Sequence, residues 1–169
     1  MRYAEGPTVA VEVLVDAPPG VVWAVVGDVS VPARFSAELQ AVEWLGGASG
    51  PAVGARFVGR NQHPAAGTWE TTSTIVAWEP ERALAWDVGE PSHPSASWRF
   101  DLEAAGSGTR LRQWARLGPG PSGLTIAIEA MPEKEERIIA RRLEEHRVNM
   151  EATLAGIKAL AEGPGAPSP

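Results

Sequence analysis

His146 is the residue whose type and position most directly suggest chemistry in this sequence. It lies in a stripe with Ile139, Leu143 and Met150, at the three- to four-residue spacing of one helical face. An imidazole in that position could act as a general acid or base, or hydrogen-bond a ligand, near neutral pH. A single histidine in an apolar stripe is more often packed in the core, and nothing in the sequence ties a carboxylate to it. Both interpretations stay open at this point.

Other reactive groups are few. The chain has no cysteine, which excludes disulfides, thiolate metal sites and cysteine nucleophiles. Its three histidines, His63, His93 and His146, do not have the spacing of metal ligands. The sequence also lacks a nucleophile with its base, a phosphate-binding glycine motif and a glycosidase-type carboxylate pair. We therefore expect no metal and no other cofactor.

Composition restricts the class of protein. A chain of 169 residues with 44% hydrophobic residues favours one globular domain, which we place over residues 1–162. Residues 163–169 contain only Gly, Pro, Ala and Ser and are expected to form a disordered tail. The net charge of −6 argues against nucleic acid as a partner, because phosphate binding needs a basic surface. With no signal-like segment and no apolar run near the ~20 residues of a membrane span, we expect a cytoplasmic protein without an integral membrane segment.

A long helix and a series of strands must position these residues. The helix is predicted from about Pro132, which acidic residues follow, to Glu162, just before a Gly-Pro stop signal. Ahead of it, alternation and turn residues predict one strand, two short helices and six more strands. The predicted strands cover residues 9–15, 41–45, 55–62, 68–78, 82–89, 95–103 and 109–117, and the short helices cover residues 21–27 and 28–36. The fold class is therefore α+β, with a curved antiparallel sheet of about seven strands around the long helix.

Turn positions predict which side chains face the helix, because side chains alternate along a strand. We pair Asn61 with Trp69 across the turn at residues 64–67 and carry this register through the sheet. The predicted inward face carries Phe57, Asn61, Trp69, Thr71, Ser73, Ile75, Leu84, Trp86, Val88, Trp98, Phe100, Leu111 and Gln113. The predicted outward face carries Arg56, Arg60, Glu70, Trp78, Asp87, Arg99, Arg110, Arg112, Trp114 and Arg116. The first set is mainly apolar and the second mainly charged, which supports the register.

The inward aromatic and polar residues predict a cavity between the sheet and the long helix. An aromatic pocket with a few hydrogen-bonding groups suits a small, flat, mostly apolar ligand. The predicted ligand-binding residues are Phe57, Asn61, Trp69, Thr71, Ser73, Trp86, Trp98, Phe100, Gln113, Met131, Ile139, Leu143, His146 and Met150. Core packing is the competing interpretation for the aromatic residues. For Asn61, a ligand hydrogen bond and a bond to the backbone of the following loop fit the sequence equally well.

The outward face also allows two interpretations. The preferred one is a solvated sheet surface on which arginine side chains lie over Trp114. The alternative is a partner-binding surface centred on Trp78 and Trp114. The sequence is therefore compatible with a monomer or a homodimer.

Several stretches of the chain are similar to one known family. They are APPGVVW (residues 17–23), GARFVGRN (54–61), WEPERALAW (78–86), WRF (98–100) and GTRL (108–111). With the order of elements, they resemble the START-like (SRPBCC) superfamily of polyketide cyclases/dehydrases and lipid-transport proteins over roughly residues 8–162. The resemblance implies the helix-grip fold, in which a curved sheet wraps around a C-terminal helix. It does not select a function, because the superfamily includes carriers, cyclases and co-chaperone domains.

Two functions of different classes follow. The preferred one is binding of a small hydrophobic or aromatic metabolite or lipid in the cavity. The alternative is a polyketide aromatase/cyclase-like enzyme that cyclises and dehydrates a substrate there, with His146, Asn61 and Arg60 as candidate catalytic residues. Arg60 is included because the resemblance implies a cavity arginine that polarises a polyketide carbonyl. The predicted register points Arg60 outward, unless the strand bulges at Gly59.

Overall fold

Seven antiparallel strands form one sheet in the structure, a computed structural model that describes residues 1–163. The strands are β1 (Thr8–Val15), β2 (Leu39–Trp44), β3 (Arg56–His63), β4 (Gly67–Glu79), β5 (Ala83–Val88), β6 (Ala96–Ala105) and β7 (Gly108–Leu117). Their order across the sheet is β1-β7-β6-β5-β4-β3-β2, so β1 crosses over to pair with the last strand. The predicted seven-stranded antiparallel sheet is confirmed.

Three α-helices accompany the sheet: α1 (Pro19–Val26), α2 (Gly123–Ala130) and α3 (Glu135–Glu162). After α1 comes a 3₁₀ turn, Val31–Arg34, so the two predicted short helices follow β1. Ser122 caps α2 by accepting a hydrogen bond from Leu124 N at 3.1 Å. Within residues 1–163, no helix is long and apolar enough to cross a membrane. Apart from Gly163, the predicted disordered tail lies outside the described residues.

The long helix α3 lies against the concave side of the sheet, as the helix-grip fold requires. Its predicted apolar stripe is largely buried, with Ile139, His146, Met150 and Ile157 inside and Leu143 half-buried. The main core cluster contains Val15, Val22, Ile75, Leu84, Phe100, Leu111, Leu154 and Ile157. A smaller cluster near the start of α3 contains Tyr3, Leu117 and Ile139. The helix therefore closes the core along its whole length.

The predicted register holds over most of the sheet. Asn61 lies opposite Trp69 across the β3–β4 pair. Trp86 of β5 lies opposite Trp98 of β6. Phe100 of β6 lies opposite Gln113 of β7. The inward aromatic residues of the central strands therefore share the face that α3 covers.

Trp78 is an exception, and its predicted outward position is wrong. A bulge in β4 shifts the register between Ile75 and Ala77, leaving Val76 42% exposed on the outer face. Trp78 consequently lies opposite the fully buried Leu84 and faces inward. Its ring packs on Trp23 of α1, with ring centroids 4.7 Å apart. The proposed partner surface centred on Trp78 and Trp114 therefore loses one of its two indoles.

A glycine in α3 allows the segment between α1 and β2 to lie against the helix. The Phe35 ring sits on Gly156, and a Cβ at this position would overlap the ring atoms. Nearby, the amide oxygen of Asn149 accepts a hydrogen bond from Ala37 N at 3.0 Å. These two contacts hold residues 35–37 beside the helix.

Candidate ligand-binding cavity

A cavity of about 110 Å³, partly open to solvent, lies between the sheet, α3 and the segment after α1. Several sequence-predicted residues line it: Phe57, Asn61, Trp86, Trp98, Gln113, His146 and Met150. They come from β3, β5, β6, β7 and α3, and the sheet register brings them together. Their part in ligand binding stays a prediction.

The other residues predicted to bind the ligand do not line this cavity. They are Trp69, Thr71, Ser73, Phe100, Met131, Ile139 and Leu143. Phe100 is only 1% exposed and belongs to the main core, while Ile139 belongs to the smaller cluster with Tyr3. Met131 follows α2 on the surface. An inward-facing side chain therefore does not by itself line the cavity, because the cavity occupies only part of the space between the sheet and the helix.

Some cavity residues were not predicted. The segment between α1 and β2 contributes Val29, Pro32, Ser36 and Glu38, and β2 contributes its first residue, Leu39. The helix α3 contributes Asn149 and Thr153. The segment has no periodic pattern that reveals which side it presents. Asn149 and Thr153 lie three residues after His146 and Met150, so a wider helical stripe would have included them.

Aromatic rings make up one wall of the cavity. Trp86 and Trp98 stack at an interplanar angle of 14°, with centroids 6.5 Å apart. Phe57 meets Trp86 edge-on at 6.0 Å, and Trp44 meets Phe57 edge-on at 5.7 Å. Such offset and edge-to-face pairs hold each other in fixed orientations. Aromatic rings from β3, β5 and β6 therefore form one side of the cavity.

His146 also lines the cavity, next to Trp98, and is 6% exposed. The Trp98 ring meets the imidazole nearly at right angles, with centroids 4.9 Å apart. Burial, and secondarily the positive charge of Arg142, lower the pKa of His146 from 6.5 to about 3. The imidazole is consequently neutral at pH 7 and contributes a polar but uncharged group to the cavity.

The lowered pKa of His146 predicts a loss of stability in mild acid. The unfolded chain gains a proton at His146 below pH 6.5 while the folded chain does not, so this stability is present above pH 6.5 and is lost as the pH falls towards 3. Urea denaturation should show a loss of roughly 2 kcal/mol between pH 7 and pH 5 from this group alone. His146→Phe should remove most of that loss, whereas an equal loss in the variant would contradict the assignment. Carboxylates with a lowered pKa, such as Glu145, lose their contribution to stability below about pH 4.5. This range lies outside the interval between pH 7 and pH 5 over which stability is compared.

Ion pairs connect Glu38, a residue that lines the cavity, to the long helix. Arg142 of α3 binds both carboxylate oxygens of Glu38, at 2.5 and 2.7 Å, and also binds Glu145 at 3.2 Å. His63, from the end of β3, lies 3.3 Å from Glu145. Burial opposes the charge on Arg142, but its bonds to Glu38 and Glu145 outweigh burial and raise its pKa. The network ties the segment after α1 and the β3–β4 turn to the long helix.

Asn61 and Arg60 have opposite orientations. Asn61 lines the cavity, and its amide nitrogen lies 3.4 Å from Gly59 O and 3.5 Å from the Thr71 hydroxyl, at the limit of hydrogen bonding. Arg60 is exposed on the outer face, where it binds Glu43 at 3.1 Å and Glu70 at 3.0 Å. The β3–β4 register runs without a bulge through Gly59, so Arg60 lies on the outer face and does not reach the cavity.

A metal site is not found among residues 1–163, where no three His, Cys, Asp or Glu side chains are grouped closely enough to hold an ion. The polar groups of the cavity are amides, hydroxyls and a neutral imidazole, together with the paired carboxylate of Glu38. These groups can hydrogen-bond a ligand, whereas ionic binding would have to compete with Arg142 for Glu38.

Solved structures with the same fold are numerous. The solution NMR structure of the Polyketide_cyc-like protein Cgl2372 from Corynebacterium glutamicum is 28% identical, with a TM-score of 0.64 over 92% of this chain and 91% of that chain. The protein TTHA0849 from Thermus thermophilus is 19% identical, with a TM-score of 0.58 over 92% and 97% of the two chains. The di-domain ARO/CYC StfQ from the steffimycin biosynthetic pathway is 15% identical, with a TM-score of 0.68 over 92% of this chain and 50% of that one. The latter two similarities concern the fold alone.

Comparison of the sequence with known protein families gives more than the fold. No curated protein matches it. The family model for polyketide cyclase/dehydrase and lipid transport, however, matches residues 7–162. The match covers every strand and helix described above. The chain therefore belongs to the polyketide cyclase/dehydrase and lipid-transport family.

Proposed function

We propose that the protein binds a small, flat, mostly apolar molecule in the cavity between the sheet and α3. The observation that carries this proposal is the partly open cavity with the stacked indoles of Trp86 and Trp98 on one side. Ligand sites are commonly apolar and aromatic, with a few polar groups that orient the ligand. Gln113, His146 and Asn149 supply such groups here.

The size of the cavity favours a compact ligand. Its volume of about 110 Å³ is below the roughly 300–1,000 Å³ typical of pockets for drug-sized molecules. A molecule of one or two rings suits this space. An extended polyketide chain would require the segment after α1 to move away from α3, against the Glu38–Arg142 ion pair.

The chemistry of His146 favours binding over catalysis. General acid–base catalysis is most effective when the pKa of the catalytic group lies near the working pH. With a pKa of about 3, His146 holds almost no proton to donate at pH 7 and is a weak base. Arg60, the other charged candidate, lies outside the cavity. We therefore propose a binding role, in which His146 acts through hydrogen bonding and shape.

Native mass spectrometry with indole as the probe tests this proposal. The protein as purified, and the protein after incubation with indole, should each be examined for a one-to-one adduct. Thr153 is buried and lines the cavity, so Thr153→Phe should place a ring in the space that the ligand needs. We expect wild-type protein to bind indole and Thr153→Phe to bind it at least tenfold more weakly.

Thr153→Val is the matched control. It keeps the volume of the side chain and removes only the hydroxyl, which donates to Asn149 O at 2.8 Å within the helix. It should bind indole much as the wild-type protein does. Equal binding by Thr153→Phe would locate the ligand elsewhere, and the absence of any adduct in all three proteins would contradict the proposed function.

A further inference from the structure

Gln113 lines the cavity and has a buried amide oxygen without a hydrogen-bond partner in the described residues. The residue lies on β7 opposite Phe100, lines the cavity and is 4% exposed. Its Oε1 atom is fully buried, and no donor within residues 1–163 lies in hydrogen-bonding distance. On the other side of β7, Gln113 faces Val11 of β1, which has an apolar side chain. The side chain is thus a buried polar group in apolar surroundings.

A buried amide without a partner is unfavourable for folding, and the great majority of such groups in native proteins are hydrogen-bonded. The apolar neighbours Phe100 and Val11 have no side-chain donor to offer. Gln113 lines the cavity, so an occupant of the cavity lies within reach of its side-chain amide. The energetic reason for keeping a glutamine at this position is then a bond made to the occupant of the cavity.

The charges around the cavity restrict what that occupant can be. Glu38 supplies the one formal charge among the residues that line the cavity, within the described part of the chain, and Arg142 already binds both of its oxygens. His146 is neutral at pH 7 because burial lowers its pKa. An anionic ligand would lose its hydration without meeting a free cation, and a cationic ligand would have to displace Arg142.

We propose that Gln113 is a specificity-determining residue that selects an uncharged, ring-containing ligand bearing a hydroxyl group. This inference rests on the proposed function and adds the chemistry of the ligand's polar end. A hydroxyl both donates and accepts, so it pairs with the Gln113 amide whichever way the oxygen and nitrogen of the amide point. The Trp86–Trp98 wall then packs on the face of the ring. The ligand class is that of phenols and similar neutral ring alcohols.

The test compares phenol, toluene and benzoate, three single-ring probes that differ in one substituent. NMR titration at pH 7 gives the dissociation constant of each for the wild-type protein and for Gln113→Met, which has a similar shape and no amide. Wild-type protein should bind phenol at least tenfold more tightly than toluene, and benzoate at least a hundredfold more weakly than phenol. Gln113→Met should reduce the preference for phenol over toluene about tenfold.

Gln62→Met is the matched control, because Gln62 is exposed on the opposite face of β3 from Asn61. It should keep the wild-type preference. If neither phenol nor toluene binds wild-type protein, the proposed function fails and this inference fails with it. If toluene binds as tightly as phenol, if benzoate binds as well as phenol, or if Gln113→Met keeps the full preference, ring binding stands and the role of Gln113 is overturned. If Gln113→Met does not fold, the dissociation constants of phenol, toluene and benzoate for the wild-type protein can still overturn the proposal.

Discussion

Replacing Phe100 with alanine is expected to lower the free energy of unfolding by about 4 kcal/mol. Phe100 is 1% exposed, lies opposite Leu84 in the sheet, and packs on Trp86 at a centroid distance of 6.0 Å. Removing its ring takes away apolar contacts and leaves a hole that a rigid sheet cannot fill. Urea denaturation followed by circular dichroism should show a lower midpoint with an unchanged slope.

Val53→Ala is the control for Phe100→Ala, because Val53 is exposed and should tolerate truncation with a change within about 0.5 kcal/mol. The outcome also separates two roles for Phe100. The inward register alone predicted that Phe100 binds ligand, whereas the structure places it in the core cluster. A loss below about 1.5 kcal/mol would contradict the core role, because such a site would already be loosely packed.

Substituting Gly156 with valine is expected to cost about 2–3 kcal/mol, because added atoms would overlap the Phe35 ring. Thermal or urea unfolding measures the cost. Phe35 begins the stretch that includes Ser36, Glu38 and Leu39, which line the cavity, so displacing it should also weaken binding of indole. The effect on binding is the part that a purely local clash does not predict.

Ala159→Val is the matched control on the same helix, because Ala159 is exposed. Its cost should be only the lower helix propensity of valine, about 0.5–0.7 kcal/mol. If Gly156→Val were as mild as this control, the close packing of Phe35 on α3 would be wrong. If Gly156→Val were costly but left binding of indole unchanged, the segment after α1 would not shape the cavity.

Much of the fold could be predicted because the turns determine the register. Once Asn61 was paired with Trp69, the two-residue repeat of the strands placed Phe57, Trp86 and Trp98 on one face. The long helix could be predicted equally well, because its apolar residues recur at helical spacing over many turns. Both are periodic patterns that depend on local chain geometry.

The features that could not be predicted break such periodicity. One extra residue at Val76 turned Trp78 inward, and alternation alone cannot reveal a bulge. The segment carrying Ser36 and Glu38 is irregular, so its contribution to the cavity depends on long-range contacts with α3. Likewise, Phe100 faces inward like Trp98 but belongs to the main core, and the alternation of inward residues does not distinguish the two positions.

The most direct test of ligand binding in the cavity uses the indole N–H signals of the seven tryptophans. Uniformly ¹⁵N-labelled protein should be titrated with unlabelled indole, and the signals assigned by replacing Trp86, Trp98 and Trp114 one at a time with phenylalanine. Trp86 and Trp98 line the cavity, whereas Trp114 lies opposite Arg99 on the outer face. We expect saturable shifts of the Trp86 and Trp98 signals and no shift of the Trp114 signal. Shifts of equal size at Trp114, or no shift at Trp86 and Trp98, would contradict ligand binding in the cavity.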